Sequence, residues 1–246
     1  MPDQLAGKIA VVTGGGRGIG RSIAIAYARE GADLCLVSRT QNQLDEVAGE
    51  IQALGQKALT ISADVTNPDQ VRALAEQIKN EVGRIDILVN NAGGGIEKNS
   101  ILESDPETWI QDVTVNLTSV YLVTHALLPL MIESGGGHII NTGSGMGHRS
   151  TPTHSAYHVG KAGLWMFTQC LAEEVWEHGI NVNELIPGPV ATHLTQGRME
   201  VGGPPPFAPS EYVKSPDDVV PLALFLATQP PGGPTAQSFS LTRRPI

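Results

Sequence analysis

The stretch Val11-Val12-Thr13-Gly14-Gly15-Gly16-Arg17-Gly18-Ile19-Gly20 places the tightest constraint on what this chain can fold into. An apolar run, Ile9 to Val12, enters a glycine-dense turn, and a helical pattern follows from Arg21 to Glu30. A parallel strand that turns tightly into a helix leaves free backbone N–H groups at the helix N-terminus. Together with the positive end of the helix dipole, these donors favour a phosphate or pyrophosphate. Glycine suits such a turn because it reaches φ > 0 and lets a ligand approach the backbone closely. The strand before it and the helix after it supply the context that a lone glycine motif lacks. The stretch reads as a dinucleotide-binding turn.

Beyond that turn, short apolar runs alternate with amphipathic stretches. Strand-like runs lie near Ile9–Val12, Leu34–Val37, Ala58–Ile61, Ile85–Val89, His138–Thr142, Asn181–Ile186 and Gln237–Leu241. Helix-like stretches lie near Gly18–Glu30, Gln41–Leu54, Pro68–Val82, Pro106–Glu133, Ser155–His178 and Pro216–Ala227. Asn67-Pro68, Asp105-Pro106 and Ser215-Pro216 each put a capping residue before a proline at the first helical position. This alternation predicts a parallel sheet with helices on both faces, and right-handed crossovers favour the doubly wound Rossmann arrangement. No linker or composition break divides the chain, so residues 1–246 are read as one domain. The segment from about 192 to 214, with prolines at 204, 205, 206 and 209, is too long for a simple connection and reads as a substrate loop or lid.

Composition narrows the partners. A formal net charge of −9 argues against nucleic acid or an anionic membrane. No apolar run is read as long enough to span a bilayer, and Met1-Pro2-Asp3 does not begin a signal peptide. Cys35 and Cys170 fall in the apolar patterns of a strand and a helix, so both are expected to be buried free thiols, which points to a reducing cytoplasm.

Chemistry is expected at the C-terminal ends of the strands, which surround one crevice in a doubly wound sheet. After the run at Ile85–Val89 come Asn90-Asn91-Ala92-Gly93, small and polar enough to lie against a ring or ribose. Ser144 follows the run at His138–Thr142, and the next helix carries Tyr157 and Lys161, four apart and so on one face. An ammonium beside a phenol favours phenolate, which lowers the tyrosine pKa from its reference of about 10. Such a group suits proton transfer at an alcohol or ketone oxygen, and Ser144 can hold the same oxygen by a hydrogen bond.

These residues resemble the short-chain dehydrogenase/reductase family over nearly the whole chain. The matching pieces are Thr13-Gly14-x-x-x-Gly18-x-Gly20, Asp64-Val65, Asn90-Asn91-Ala92-Gly93, Asn116, Ser144, Tyr157-x-x-x-Lys161 and Pro187-Gly188, with Ser144 thirteen residues before Tyr157. The resemblance implies a seven-stranded sheet, a nicotinamide cofactor and a homotetramer, with a homodimer as the alternative. It implies that Tyr157 is the acid/base. Lys161 would bind the nicotinamide ribose and depress the tyrosine pKa, and Ser144 would orient the substrate oxygen. Asn116 would sit in a helix distortion and hold a water of the proton relay. Gly14, Gly16, Arg17, Gly18, Ile19 and Gly20 would line the cofactor, as would Asn91, Ala92 and Gly93. Asp64 and Val65 would contact the adenine, and Pro187, Gly188, Val190 and Thr192 would border the nicotinamide.

A site that prefers NAD usually places an acid after the second strand. Here that position reads Ser38-Arg39-Thr40, and the nearest acids, Glu30 and Asp33, fall on a helix end and a strand start, pointing elsewhere. Arg39 and Arg17 can clamp a 2′-phosphate, so NADP(H) is expected, with NAD(H) as the alternative. His148, Arg149, His154 and His158 are read as surface or structural residues, although Arg149 could meet a carboxylate. The expected activity is an NADP(H)-dependent oxidoreductase acting on a ketone or secondary alcohol of a small molecule. Its rivals are a 3-oxoacyl-[acyl-carrier-protein] or 3-oxoacyl-CoA reductase and a nucleotide-binding redox sensor. Acids at Glu133, Glu173 and Glu174 lie where an acidic carrier protein needs cations. The family chain usually ends in a glycine-rich tail, whereas this one ends Thr242-Arg243-Arg244-Pro245-Ile246, a departure that bears on assembly more than on chemistry.

Overall fold

The computed structural model of the protein describes residues 3–195, 199–205 and 208–246. Its strands are β1 (Ile9–Thr13), β2 (Asp33–Ser38), β3 (Ala58–Ser62), β4 (Ile87–Asn90), β5 (Gly137–Thr142), β6 (Ile180–Ile186) and β7 (Ser238–Ser240). They form one seven-stranded sheet in the order β3-β2-β1-β4-β5-β6-β7, with every neighbouring pair parallel. The helices are α1 (Gly18–Arg29), α2 (Gln41–Ala53), α3 (Pro68–Glu81), α4 (Pro106–Val113), α5 (Ser119–Glu133), α6 (Ser155–Val175) and α7 (Val220–Ala227).

The continuous apolar strands follow from burial on both faces. In β1, Ala10 and Val12 join one core with Ile23 and Tyr27 of α1, Leu44 and Ile51 of α2, and Leu226 of α7. Val11 between them faces the opposite core, with Leu74 and Ile78 of α3, Val123 and Leu127 of α5, and Leu171 of α6. A strand alternates its side chains between faces, so one residue step sends neighbours to different layers. Each large side chain buried in this way contributes roughly 1.5–3 kcal/mol.

The capping residues act as their sequence predicts. Asn67 accepts from the N–H groups of Asp69 (3.0 Å) and Gln70 (3.2 Å), and Asp105 accepts from Thr108 N (2.9 Å). Ser215 N and Asp218 are joined at 2.7 Å, but the turn they close is a short 3-10 segment, Pro216–Val219, that precedes α7.

Three expectations need correction. Cys170 is exposed, because the helix face that buries Leu171 and Ala172 turns its neighbour outward; Cys35 alone of the pair is buried. The stretch Pro106–Glu133 is long and apolar enough to cross a membrane by length and hydropathy. In this fold it packs Val123, Leu127, Leu130 and Met131 against the sheet, as the core helix of a globular domain does. It is also not one regular helix, since a π turn, Thr114–Thr118, separates α4 from α5. Of the 192–214 segment, residues 196–198 and 206–207 lie outside the described residues.

Candidate active site

The strand order reverses between β1 and β4, and their C-terminal ends open a crevice there. Thr13 pins the two strands together. Its hydroxyl donates to Val89 O (3.4 Å) and accepts from the N–H groups of Asn91 and Ala92 (both 3.0 Å), while Asn91 Nδ2 donates to Thr13 O (3.1 Å). The turn that follows requires glycine for two separate reasons. Gly14 has φ +65°, where a side chain is strained. Gly20 would place a Cβ 2.3 Å from Gly14 O and 2.6 Å from Asn91 Nδ2, so only glycine lets α1 close on the turn.

A cavity of about 460 Å³ occupies this crevice. Gly14, Gly16, Arg17, Gly18, Ile19, Ser38, Arg39, Asp64, Val65, Asn91, Ala92, Gly93 and Thr192 line it, all expected from the sequence. Thr40, Gln43, Val115, His193 and Leu194 line it too; nothing in their residue types marked them in advance. Gly20 supports the turn from behind. Pro187, Gly188 and Val190 lie outside this lining; Val190 is buried and bridges to Lys214, and Gly188 turns with φ +69°. Glu30 and Asp33 point away, bonding Gln4 and Lys57 N respectively.

The cavity fits a dinucleotide. The α1 N-terminus at Arg17 receives no side-chain cap, and Arg17, Gly18 and Ile19 of that first turn line the cavity, the arrangement that suits a phosphate. Asp64 faces Arg39. Burial works against its ionisation, but bonds from the Thr66 hydroxyl and N–H, with the Arg39 charge, hold its pKa below the usual carboxylate value.

Next to this cavity the expected acid/base residues converge. Ser144 leaves the end of β5 and opens a 3-10 turn, Gly145–Gly147, accepting from Met146 N at 3.2 Å. Its hydroxyl lies near enough to the Tyr157 phenol to draw that group's pKa down. Lys161 is buried, donates from Nζ to Thr142 O (2.8 Å) and lies 5.8 Å from the centroid of the Tyr157 ring. The pair is therefore no solvated helix pair.

The tyrosine pKa runs opposite to the sequence expectation. Desolvation raises it, Ser144 draws it down, and the Asp112 charge raises it again, for a net rise. Lys161 is itself pushed down to about 8 by burial, with Glu184 and Asp112 opposing. Enclosure sets the direction for both groups.

Asn116 sits in the π turn and is fully buried. Its Nδ2 donates to Gly94 O (2.5 Å), Asp112 O (2.8 Å) and Asp112 Oδ1 (2.7 Å), and its Oδ1 accepts from Gly94 N (3.2 Å). Asp112 in turn accepts from Ile96 N (2.9 Å) and Glu97 N (3.0 Å). The two residues clamp the 94–97 loop, which passes over Tyr157. A buried polar chain runs beneath, from Thr124 through Asn90 and Asn141 to Thr168, at 2.9–3.0 Å per link. Sequence reasoning missed Asp112 and Glu184, since both stand among polar neighbours, Gln111 and Thr114 for the first and Asn181 and Asn183 for the second.

The flanking histidines meet protein groups. His148 pairs with buried Glu184 (2.9 Å), and His158 bonds Met146 O (2.6 Å) and the Thr151 hydroxyl (2.9 Å). His154 occupies a left-handed position (φ 56°) before α6. Arg149 keeps a buried Nε without a hydrogen-bond partner among the described residues. The basic tail folds back on its own chain: Arg244 pairs with the enclosed carboxylate of Glu211 (2.7 Å), which also accepts from Arg243 N (3.1 Å).

Comparison with known proteins agrees with this geometry. The family model described as short chain dehydrogenase matches residues 8–201. A 3-oxoacyl-[acyl-carrier-protein] reductase of Synechocystis is 35% identical over 240 residues, covering 96% of each chain. The structure of L-sorbose reductase from Gluconobacter frateurii, complexed with NADPH and L-sorbose, superposes with a TM-score of 0.88 at 30% identity, covering 99% of this chain and 98% of that one. Carveol dehydrogenase from Mycobacterium avium, in complex with NAD, gives 0.88 at 26% identity, covering 97% of each.

Proposed function

The chain belongs to the short-chain dehydrogenase family, and from that premise we propose that it is an NADP(H)-dependent oxidoreductase interconverting a ketone and a secondary alcohol of a small molecule. The observation that carries the reading is the meeting of Ser144, Tyr157 and Lys161 beside a cavity whose helix N-terminus is left uncapped.

In this reading Tyr157 moves the proton at the substrate oxygen and Ser144 holds that oxygen by a hydrogen bond. Lys161 would hold the nicotinamide ribose, and it places positive charge near the phenol. Asn116 holds the 94–97 loop and a water of the proton relay. When bound, the nicotinamide supplies or accepts the hydride. A phenol held above its ordinary range is protonated at neutral pH, the state that delivers a proton to a carbonyl oxygen.

Arg17 and Arg39 on the cavity wall, with no acid following β2, support NADP(H) over NAD(H). The structural neighbours carry either cofactor, so the two arginines bear the weight. The segment 192–214 serves as the lid, with Glu211 fastening it to the C-terminal tail. A homotetramer is the proposed assembly, supported by exposed Ile110, Tyr121, Val159 and Met166 on α4, α5 and α6. A second reading, 3-oxoacyl thioester reduction, is favoured by the Synechocystis relative and opposed by the exposed acids Glu173 and Glu174 on α6.

NADPH consumption across ketones, diketones, sugars and acetoacetyl thioesters, measured beside Tyr157→Phe, tests the reading. The variant is expected to lose at least ~100-fold in kcat. Near-parental turnover in Tyr157→Phe overturns the mechanism, and much faster turnover with NADH than NADPH overturns the cofactor assignment.

A further inference from the structure

Strand β6 is buried along its whole length, yet it carries Glu184. A central strand of a parallel sheet ordinarily presents apolar side chains, and a carboxylate there is tolerated only with partners. Glu184 Oε2 accepts from Ser238 Oγ of β7 (2.5 Å) and pairs with His148 Nε2 (2.9 Å). Its Oε1 has no hydrogen-bond partner among the described residues and is aimed at the backbone of Gly143, where a Cβ would lie 1.8 Å from it. Gly143 is therefore glycine to admit this carboxylate.

The location matters for chemistry. Gly143 stands between Thr142, whose carbonyl accepts from Lys161 Nζ (2.8 Å), and Ser144. At the far end of the Ser144 turn, Gly147 N donates to Ser144 O (2.8 Å), and His148 packs its ring on Trp165 with centroids 5.1 Å apart. The carboxylate thus touches both ends of the segment that presents Ser144.

We propose that Glu184 is a positioning residue of this site. Through His148 it fixes the turn that carries Ser144, and its negative charge, set against Gly143, faces the Lys161 ammonium held on the Thr142 carbonyl. The assignment rests on the reading of Ser144, Tyr157 and Lys161 given above. Lys161 faces Glu184 from β6, Asp112 from α4 and Tyr157 from its own helix; Glu184 faces His148 from the turn and Lys161 from α6. Burial lowers Lys161 to about 8, and of the charges that oppose this Glu184 comes first.

A thermal-melting cycle tests the coupling without any substrate. A lysine whose folded-state pKa lies below its unfolded value binds fewer protons when folded, so its contribution to stability rises with pH above the folded value. In the parent that rise begins near pH 8. Glu184→Gln keeps hydrogen-bonding capacity toward His148 and Ser238 but removes the charge. The rise is then expected at lower pH by roughly half a unit or more. In a Lys161→Met background, Glu184→Gln is expected to cause no such displacement. Superimposable profiles for parent and Glu184→Gln, or the same displacement in both backgrounds, overturn the electrostatic role.

Amide exchange at Met146 and Gly147 tests the turn: Glu184→Ala is expected to speed it about tenfold, and unchanged exchange overturns the positioning role. Should the glutamine variant not fold, Glu184→Asp retains the charge with a shorter reach. It must then keep the parental pH profile while loosening the turn, and any other pattern counts against the proposal. Neither readout uses turnover, so a Tyr157→Phe result that defeats the catalytic reading is distinguishable from a failure of this one.

Discussion

Replacing Asp112 with alanine removes a wholly buried carboxylate that joins α4 to the loop over Tyr157. Three bonds go with it, from Ile96 N, Glu97 N and Asn116 Nδ2, at 2.9, 3.0 and 2.7 Å. A hydrogen bond to a charged group contributes about 1.5–3 kcal/mol net, but bonds in one network do not add. Loss of a buried charged partner typically costs ~3–5 kcal/mol, so roughly 4 kcal/mol is the working figure. In a chain of this size each kcal/mol moves Tm by about 2–4 °C, which gives a fall of roughly 8–16 °C by calorimetry. Asp112→Asn separates charge from shape. Its oxygen can serve Ile96 and Glu97, but its amide then meets Asn116 Nδ2, donor against donor. Turning Asn116 over only moves the conflict to Gly94 N, which now donates to Asn116 Oδ1 (3.2 Å). Asparagine is therefore expected to lose more than half of what alanine loses. A fall below about 2 °C for alanine, or parental melting for asparagine, refutes the network as described.

Arg39→Ala is expected to weaken NADPH by about 10–100-fold, the value of one charge-assisted bond, and to leave NADH nearly unchanged; fluorescence titration with both cofactors measures this, and equal losses would show that Arg39 does not read the 2′-phosphate. Glu211→Ala strands Arg244, so a loss of about 3 kcal/mol in urea unfolding is expected, and a loss under ~0.5 kcal/mol would mark the pair as an ordinary surface contact. Gly20→Ala sets a methyl group 2.3 Å from Gly14 O, and both melting temperature and cofactor affinity are expected to fall; wild-type affinity in a folded variant would show that the turn is free to relax.

The sheet was legible because strands buried on both faces read as unbroken apolar runs, as in Val11-Val12 and Ile139-Ile140. The cofactor turn was legible because glycines at 14, 18 and 20 do jobs that other residues cannot. What escaped was contact between residues distant in sequence. Glu184 meets His148 across 36 positions, and the basic tail meets Glu211 across about as many, with no local pattern to announce either. Helical periodicity also misplaced Cys170, since a half-buried helix has an edge where one step decides exposure. The tyrosine expectation weighed one neighbouring charge, Lys161, without the desolvation that only a folded chain supplies.

The π turn between α4 and α5 has a consequence for how the molecule can change length. An α-helix advances about 100° per residue, so a wide turn absorbs a residue that would otherwise rotate everything before it. Here the offset lets Val123 and Leu127 of α5 face the sheet while Asp112 of α4 faces the 94–97 loop. Deleting one residue from Thr114–Thr118 would leave a smoother helix and swing Asp112 away by about a quarter turn. The regular helix would lose the Asp112 bonds to Ile96 and Glu97: at this point the fold keeps its phase only by being irregular.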